Sequence, residues 1–229
     1  MIFYQLIEPE TSTYTYILAD EESKEALLID TVLETVERDL LLIEQMGLKV
    51  KYIIDTHLHA DHITGSGEIR KRTGCLSAIS AQAHVLCADI ALKDNDELYF
   101  GKYTLKALST PGHTNSCMSF YTKGMIFTGD ILLFRGTGRT DFQQGDPTKM
   151  FNSITQKIFT LPDETIIYPG HDYKGFTYST VSWEKKFNPR IGANKSLNEF
   201  IQIMNALKLA HPKKIDVAVP ANIQCGLIN

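Results

Sequence analysis

Apolar residues in this chain fall into short runs separated by charged or turn-forming residues. The runs "TYTYILAD" (13–20), "EALLID" (25–30) and "KVKYIID" (49–55) are rich in β-branched and aromatic side chains, and that composition predicts strands. Between the last two, Leu33, Val36, Leu40 and Ile43 recur at helical spacing and Gly47 stands where a C-terminal cap belongs, so an amphipathic helix with one buried face is expected. Asp146-Pro147 supplies an N-cap and a first-turn proline for a second helix, whose stripe of Phe151, Ile154 and Ile158 ends before Pro162. Ser196 and Glu199 have capping-box spacing ahead of Phe200, Ile203, Met204 and Leu207. Further strands are predicted at "LKALSTPGH", "MSFYTKGMIFTGD" and "ETIIYPGH". Strands joined partly by hairpin-length turns such as "YTKGM" and partly by helices imply mixed sheets with helices outside.

Composition changes this picture little. At 229 residues, 43% hydrophobic and 22% charged, the chain can bury a sizeable core as one domain, and it shows no repeat, low-complexity tract or linker. A net charge of −4 and a longest basic cluster of only Arg70-Lys71-Arg72 speak against a nucleic-acid partner. The N-terminus lacks a basic segment followed by a long apolar one, and no run of about eighteen apolar residues occurs, so neither a signal peptide nor a membrane span is expected. Cys75, Cys87, Cys117 and Cys225 form no C-x-x-C pair and are too sparse for a disulfide framework, which predicts a reducing, cytoplasmic setting.

The chemistry concentrates at strand ends. "THLHADH" (56–62), "STPGHT", "FTGD" and "YPGHD" each close a strand-like run, and loops at one sheet edge can bring distant residues together on a rigid scaffold. His57 and His59 are two apart, so in a regular strand both would point to one face, while Asp61 and His62 would start the next turn. His113, Asp130 and His171 close the other three loops. Any one of these histidines read alone is an ordinary core or surface residue. Five of seven in such loops, with Gly or Asp beside them, point to a site for zinc, iron or manganese.

The H-x-H-x-D-H pattern at 57–62, followed in order by His113, Asp130 and His171, resembles the metallo-β-lactamase superfamily. The resemblance implies an αββα sandwich of two mixed sheets flanked by helices, with the metal centre at one edge. In two-metal members His57, His59 and His113 would bind one ion and Asp61, His62 and His171 the other, with Asp130 bridging. Ligand counting therefore allows a dinuclear hydrolase, such as a thioesterase of the glyoxalase II kind.

The stretches "GRTDFQQG", "HDYKGFT", "NPR" and "PANIQCG" resemble the persulfide dioxygenases within that superfamily. Glyoxalase II carries a larger helical C-terminal domain, whereas here residues 174–229 form only a short extension with a single strong helix. The resemblance implies one Fe(II) per chain held by His57, His113 and Asp130, with His59, Asp61, His62 and His171 around it or lining a second, vacant site. It implies glutathione persulfide and O₂ as substrates, sulfite and glutathione as products, and a homodimer. Arg139, Tyr173 and Arg190 match glutathione-contacting positions, and guanidinium groups suit carboxylates. Read alone, each is equally a structural residue. Cys117 is expected to be a small buried side chain, Asp141 to pair with Arg139, "EKK" (184–186) to be a solvated face and Trp183 to pack.

Overall fold

Every residue of β2 (Thr13–Ala19) is buried, so both of its faces pack against protein. Tyr14, Tyr16 and Leu18 point inward and Ile17 and Ala19 outward, the period-two alternation of a strand between two layers. The computed structural model describes residues 1–211 and 214–227; positions 212, 213, 228 and 229 of the C-terminal extension lie outside the described residues. β2 pairs antiparallel with β1 (Ile2–Glu8) and β3 (Glu25–Ile29), and parallel pairing then continues through β4 (Lys49–Ile54), β5 (Leu76–Ser80) and β6 (Ile90–Leu92). These six strands lie side by side in chain order.

The second sheet runs β12-β11-β10-β9-β8-β7. Its antiparallel part is β7 (Glu97–Phe100), β8 (Tyr103–Ser109), β9 (Met118–Thr122) and β10 (Met125–Gly129). β11 (Ile166–Pro169) adds parallel to β10, and the two-residue β12 (Ser179–Thr180) closes the edge. Residues of both sheets, among them Tyr16, Leu27, Ile54, Phe120 and Phe127, form the central core. Outside the first sheet lie α1 (Val36–Gln45) and α2 (Ser66–Thr73), burying Val36, Ile43 and Ile69 on Ile17, Leu28 and Ile53. Outside the second lie α3 (Pro147–Ser153) and α5 (Leu197–Asn205), burying Met150, Phe200 and Met204 beside Ile126 and Ile167. Three apolar clusters between four layers make the predicted αββα sandwich.

The caps read from the sequence form. Asp146 accepts from the backbone N–H groups of Thr148 and Lys149, and Ser196 with Glu199 completes the capping box of α5. The first predicted helix starts with a 3₁₀ turn at Leu33–Thr35, and the second loosens into a π turn over Ile154–Ile158.

Three expectations need correction. The extension carries α4 (Val181–Phe187), α5 and α6 (Ile215–Ile223), not one helix, because the first and last lack a long apolar stripe that periodicity could reveal. Within "EKK", Glu184 is fully buried: its carboxylate accepts from Ser179 Oγ, Asn188 Nδ2 and the Arg135 amide, partners that sequence neighbours do not disclose. Cys87 and Cys225 form a disulfide across 138 residues, which removes the premise on which cysteine usage pointed to a reducing setting. Among the described residues no helix is long and apolar enough to cross a membrane.

Candidate metal centre

The loops after β3, β4, β10 and β11 meet at one edge of the two sheets. β4 stops at Ile54, so His57 and His59 face each other not through strand alternation but because the chain turns there; their ring centres are 4.2 Å apart and His57 lies 5.0 Å from His113. Asp30, in the left-handed backbone region at the end of β3, holds this turn by accepting from Thr56 N (2.7 Å) and Thr56 Oγ1 (2.8 Å). Glycine precedes Asp130 and His171 for a steric reason. A Cβ on Gly129 would stand 2.5 Å from Thr56 Oγ1, and one on Gly170 would stand 2.8 Å from Asp130 Oδ1.

Hydrogen bonds assign the ring nitrogens. The Thr56 hydroxyl gives its proton to Asp30 and so accepts from His57 Nδ1–H (2.9 Å), leaving the Nε2 lone pair of His57 free. His113 donates from Nδ1 to the Arg139 carbonyl (2.8 Å), freeing its own Nε2, which lies 3.8 Å from Asp130 Oδ2. Ligand atoms of His57, His113 and Asp130 all lie within 4.8 Å of one another. Burial, reinforced by His59 and His113, holds the His57 ring well below the usual imidazole range, hence neutral. Burial works against the Asp130 carboxylate, but His171, His113 and His57 outweigh it and keep its pKa below the ordinary value. Two imidazoles and one carboxylate, each held by a hydrogen bond at another atom, are a fitting donor set for a divalent ion.

The remaining four positions gather beside this triad. His171 donates from Nδ1 to Asp130 Oδ1 (2.7 Å) and from Nε2 to Asp61 Oδ2 (2.9 Å). Burial opposes its charge, yet the two carboxylates raise its pKa well above the ordinary value. His62 donates from Nδ1 to Asp61 Oδ2 (2.8 Å), while its Nε2 is buried without a partner. His59 donates from Nε2 to Asp30 (3.1 Å), and its Nδ1 is likewise buried and unpartnered. Burial, then His62, lowers the His59 pKa to about 4. Orphan buried nitrogens are costly unless something binds them, which is a second sign of a metal site.

A cavity of about 500 Å³ opens over the centre, lined by His113, Asp130 and His171 together with Arg139, Tyr173 and Arg190. All three positions matched to glutathione contacts therefore face the space above the donors, but they differ in what they already hold. Arg139 is already paired, donating to both carboxylate oxygens of Asp141 (2.6 and 2.7 Å) and to the Ala210 carbonyl (2.6 Å). Arg190 is half-buried and donates only to Thr137, at its carbonyl (2.5 Å) and hydroxyl (3.3 Å), with no carboxylate paired to it among the described residues. Tyr173 is 72% exposed, its ring parallel to that of His171 at 6.0 Å.

The matching family pattern, the metallo-beta-lactamase superfamily, covers residues 9–171, from just after β1 to the last histidine of the centre. The chain belongs to the metallo-beta-lactamase superfamily. Within the superfamily it is 49% identical over 230 residues to the human mitochondrial persulfide dioxygenase ETHE1, an alignment that takes in 99% of this chain and 89% of the relative. The crystal structure of ETHE1 from Myxococcus xanthus superposes with a TM-score of 0.97 at 49% identity, covering 99% of this chain and 100% of that one. A superfamily member from Staphylococcus aureus, at 25% identity, superposes with a TM-score of 0.88 over 97% of this chain and 71% of its own.

Sequence reading missed three groups that support the centre. Asp30 and Asp55 close β3 and β4 as Asp130 closes β10, and that shared strand-end placement could have revealed them. Asn222 reaches the loop from α6 and leaves no such trace. Cys117, by contrast, behaves as expected: it is buried, and burial pushes its thiol up to about 12, which removes it as a nucleophile.

Proposed function

We propose that the protein is a persulfide dioxygenase, a single domain over 1–229 that converts glutathione persulfide, O₂ and water to glutathione, sulfite and two protons. Its resident metal on this reading is one Fe(II) per chain, held by His57, His113 and Asp130. The observation that carries the single-metal reading is His171, whose two ring nitrogens are both engaged with carboxylates, Nδ1 with Asp130 (2.7 Å) and Nε2 with Asp61 (2.9 Å). The 49% identity to human persulfide dioxygenase ETHE1, sustained over 99% of the chain, supports the reaction.

His57, His113 and Asp130 would hold the Fe(II), which would supply the affinity for O₂ and for a soft sulfur anion that the side chains lack. The chain's own residues do the rest. Arg190 offers an unpaired guanidinium to a glutathione carboxylate, and its partial burial strengthens that attraction. Tyr173 supplies an aromatic face at the cavity wall. His171 holds a proton at Nδ1 against Asp130, fixing one carboxylate oxygen and leaving the other for the metal.

One observation favours a second reading. The buried His59 Nδ1 and His62 Nε2, unpartnered among the described residues, are what a pair of ions would use, His59 for the first and His62 for the second, as in a dinuclear thioester hydrolase. Metal counting on anaerobically purified protein separates the two. The dioxygenase reading expects about one iron per chain in the wild type and still about one in Asp61→Asn. Two tightly held ions in the wild type, falling toward one in Asp61→Asn with hydrolysis of S-lactoylglutathione, overturns it.

A further inference from the structure

Asn222 lies in α6, far along the chain from the metal centre, yet its side chain is buried against the loop that carries four of the seven candidate donors. Its Nδ2 donates to the carbonyls of His59 and His62, both at 2.9 Å, and its Oδ1 accepts from the Thr64 amide, also at 2.9 Å. An amide side chain with two N–H bonds and one oxygen is the group that can satisfy two carbonyls and one amide at once; a carboxylate or a hydrocarbon cannot. The loop has few alternatives of its own: residues 55–63 belong to no helix or strand, so their carbonyls depend on such partners.

The segment that brings Asn222 is seated from several sides. The Cys225 carbonyl accepts from Gly67 N at 2.8 Å, at the start of α2. Gly226, in the left-handed region, lies so close to the Thr64 carbonyl that a Cβ would come within 2.0 Å of its oxygen. Cys225 is joined to Cys87. Thr64 in turn donates to Asp55, which also accepts from Ser66.

We propose that Asn222 is a positioning residue of the metal centre: it fixes the backbone of residues 59–64, and through it the direction of the His57, His59, Asp61 and His62 side chains. It touches no donor atom. Its action is to keep the turn from relaxing into conformations in which the imidazoles no longer converge, so the C-terminal segment is part of the metal site although it supplies no ligand. This inference holds for either substrate reading, because it concerns metal retention alone.

The test uses full-length protein loaded with Co(II), whose visible absorption reports donor geometry and whose affinity is measured against a competing chelator. Asn222→Asp keeps the shape and replaces both N–H donors by an oxygen facing two carbonyls. Its expected effects are a changed Co(II) spectrum and a loss of affinity of about ten- to a hundredfold, the range seen when groups supporting metal ligands are altered. Ile43→Ala, which thins the core under α1 without touching the loop, is expected to lower the melting temperature and leave spectrum and affinity as in the wild type. If the carboxylate prevents folding, Asn222→Ser carries the same readout. Wild-type spectrum and affinity in the folded Asn222 variant, or an equal change in Ile43→Ala, overturns the proposal.

Discussion

Arg190→Ala isolates the recognition of substrate from the holding of metal. The guanidinium lines the cavity, is half-buried, and among the described residues spends its bonds on Thr137 alone, so at least one face is free for an anion. A hydrogen bond to a charged group contributes roughly 1.5–3 kcal/mol. At about 1.36 kcal/mol per factor of ten, its loss lowers kcat/KM for glutathione persulfide by roughly ten- to a hundredfold. The bond is remote from the reacting sulfur, so the change is expected in KM with kcat and iron content retained. Oxygen uptake is measured with glutathione persulfide and with the persulfide of a small uncharged thiol, which has no carboxylate to lose. The removed bond to the Thr137 carbonyl is a structural cost common to both substrates, so the ratio between them isolates recognition. An unchanged kcat/KM for glutathione persulfide, or the same loss for both persulfides, refutes the assignment and returns Arg190 to a structural role.

Two further outcomes test the supporting structure. The pKa of His171 is raised by Asp130 and Asp61 above its unfolded value of about 6.5, so its stabilisation is full below that pH and is lost as pH rises through the folded value. In metal-stripped protein the stability gap between wild type and His171→Gln, read from urea midpoints, is therefore expected to be wide at pH 6 and narrower at pH 9; a constant or growing gap contradicts it. Cys87→Ser opens a loop of 138 residues, for which chain entropy sets an upper bound of about 5 kcal/mol and experience gives about 2–4, or a fall in Tm of roughly 4–16 °C. In denaturant without reductant, two of the four cysteines of the wild type are expected to alkylate; four would show that the bond is absent.

What could be read from the sequence was whatever leaves a local trace. β2, β3 and the end of β4 are largely apolar because strands inside a two-sheet sandwich are covered on both faces, and the capping box of α5 sits within four residues. The seven donors were legible because imidazoles and carboxylates cluster at strand ends for few reasons other than chemistry. Their division of labour was not, since whether His171 offers a lone pair or a proton depends on Asp61 and Asp130, which reach it from other loops. Glu184 misled because two lysines follow it, while the partners that bury it stand on β12, at the end of α4 and in the 135 turn. Cys87 with Cys225, and Asn222 with the 59–64 turn, are pairs separated by more than a hundred residues, a distance over which spacing carries no information about proximity.

The donors of the metal centre are divided between the two sheets, four from the loop after β4 and three from the loops after β8, β10 and β11, and the segment that steadies the first group arrives only with α6. This order has a consequence for the chain as it leaves the ribosome. A nascent chain ending before β8 presents the histidines of 57–62 without the rest of the set, and one ending between His171 and α6 presents all seven donors on an unsteadied loop. With Asn222 as a positioning residue, a seated donor set needs both sheets and α6, so a chain cut before α6 is expected to be a poor trap for redox-active ions.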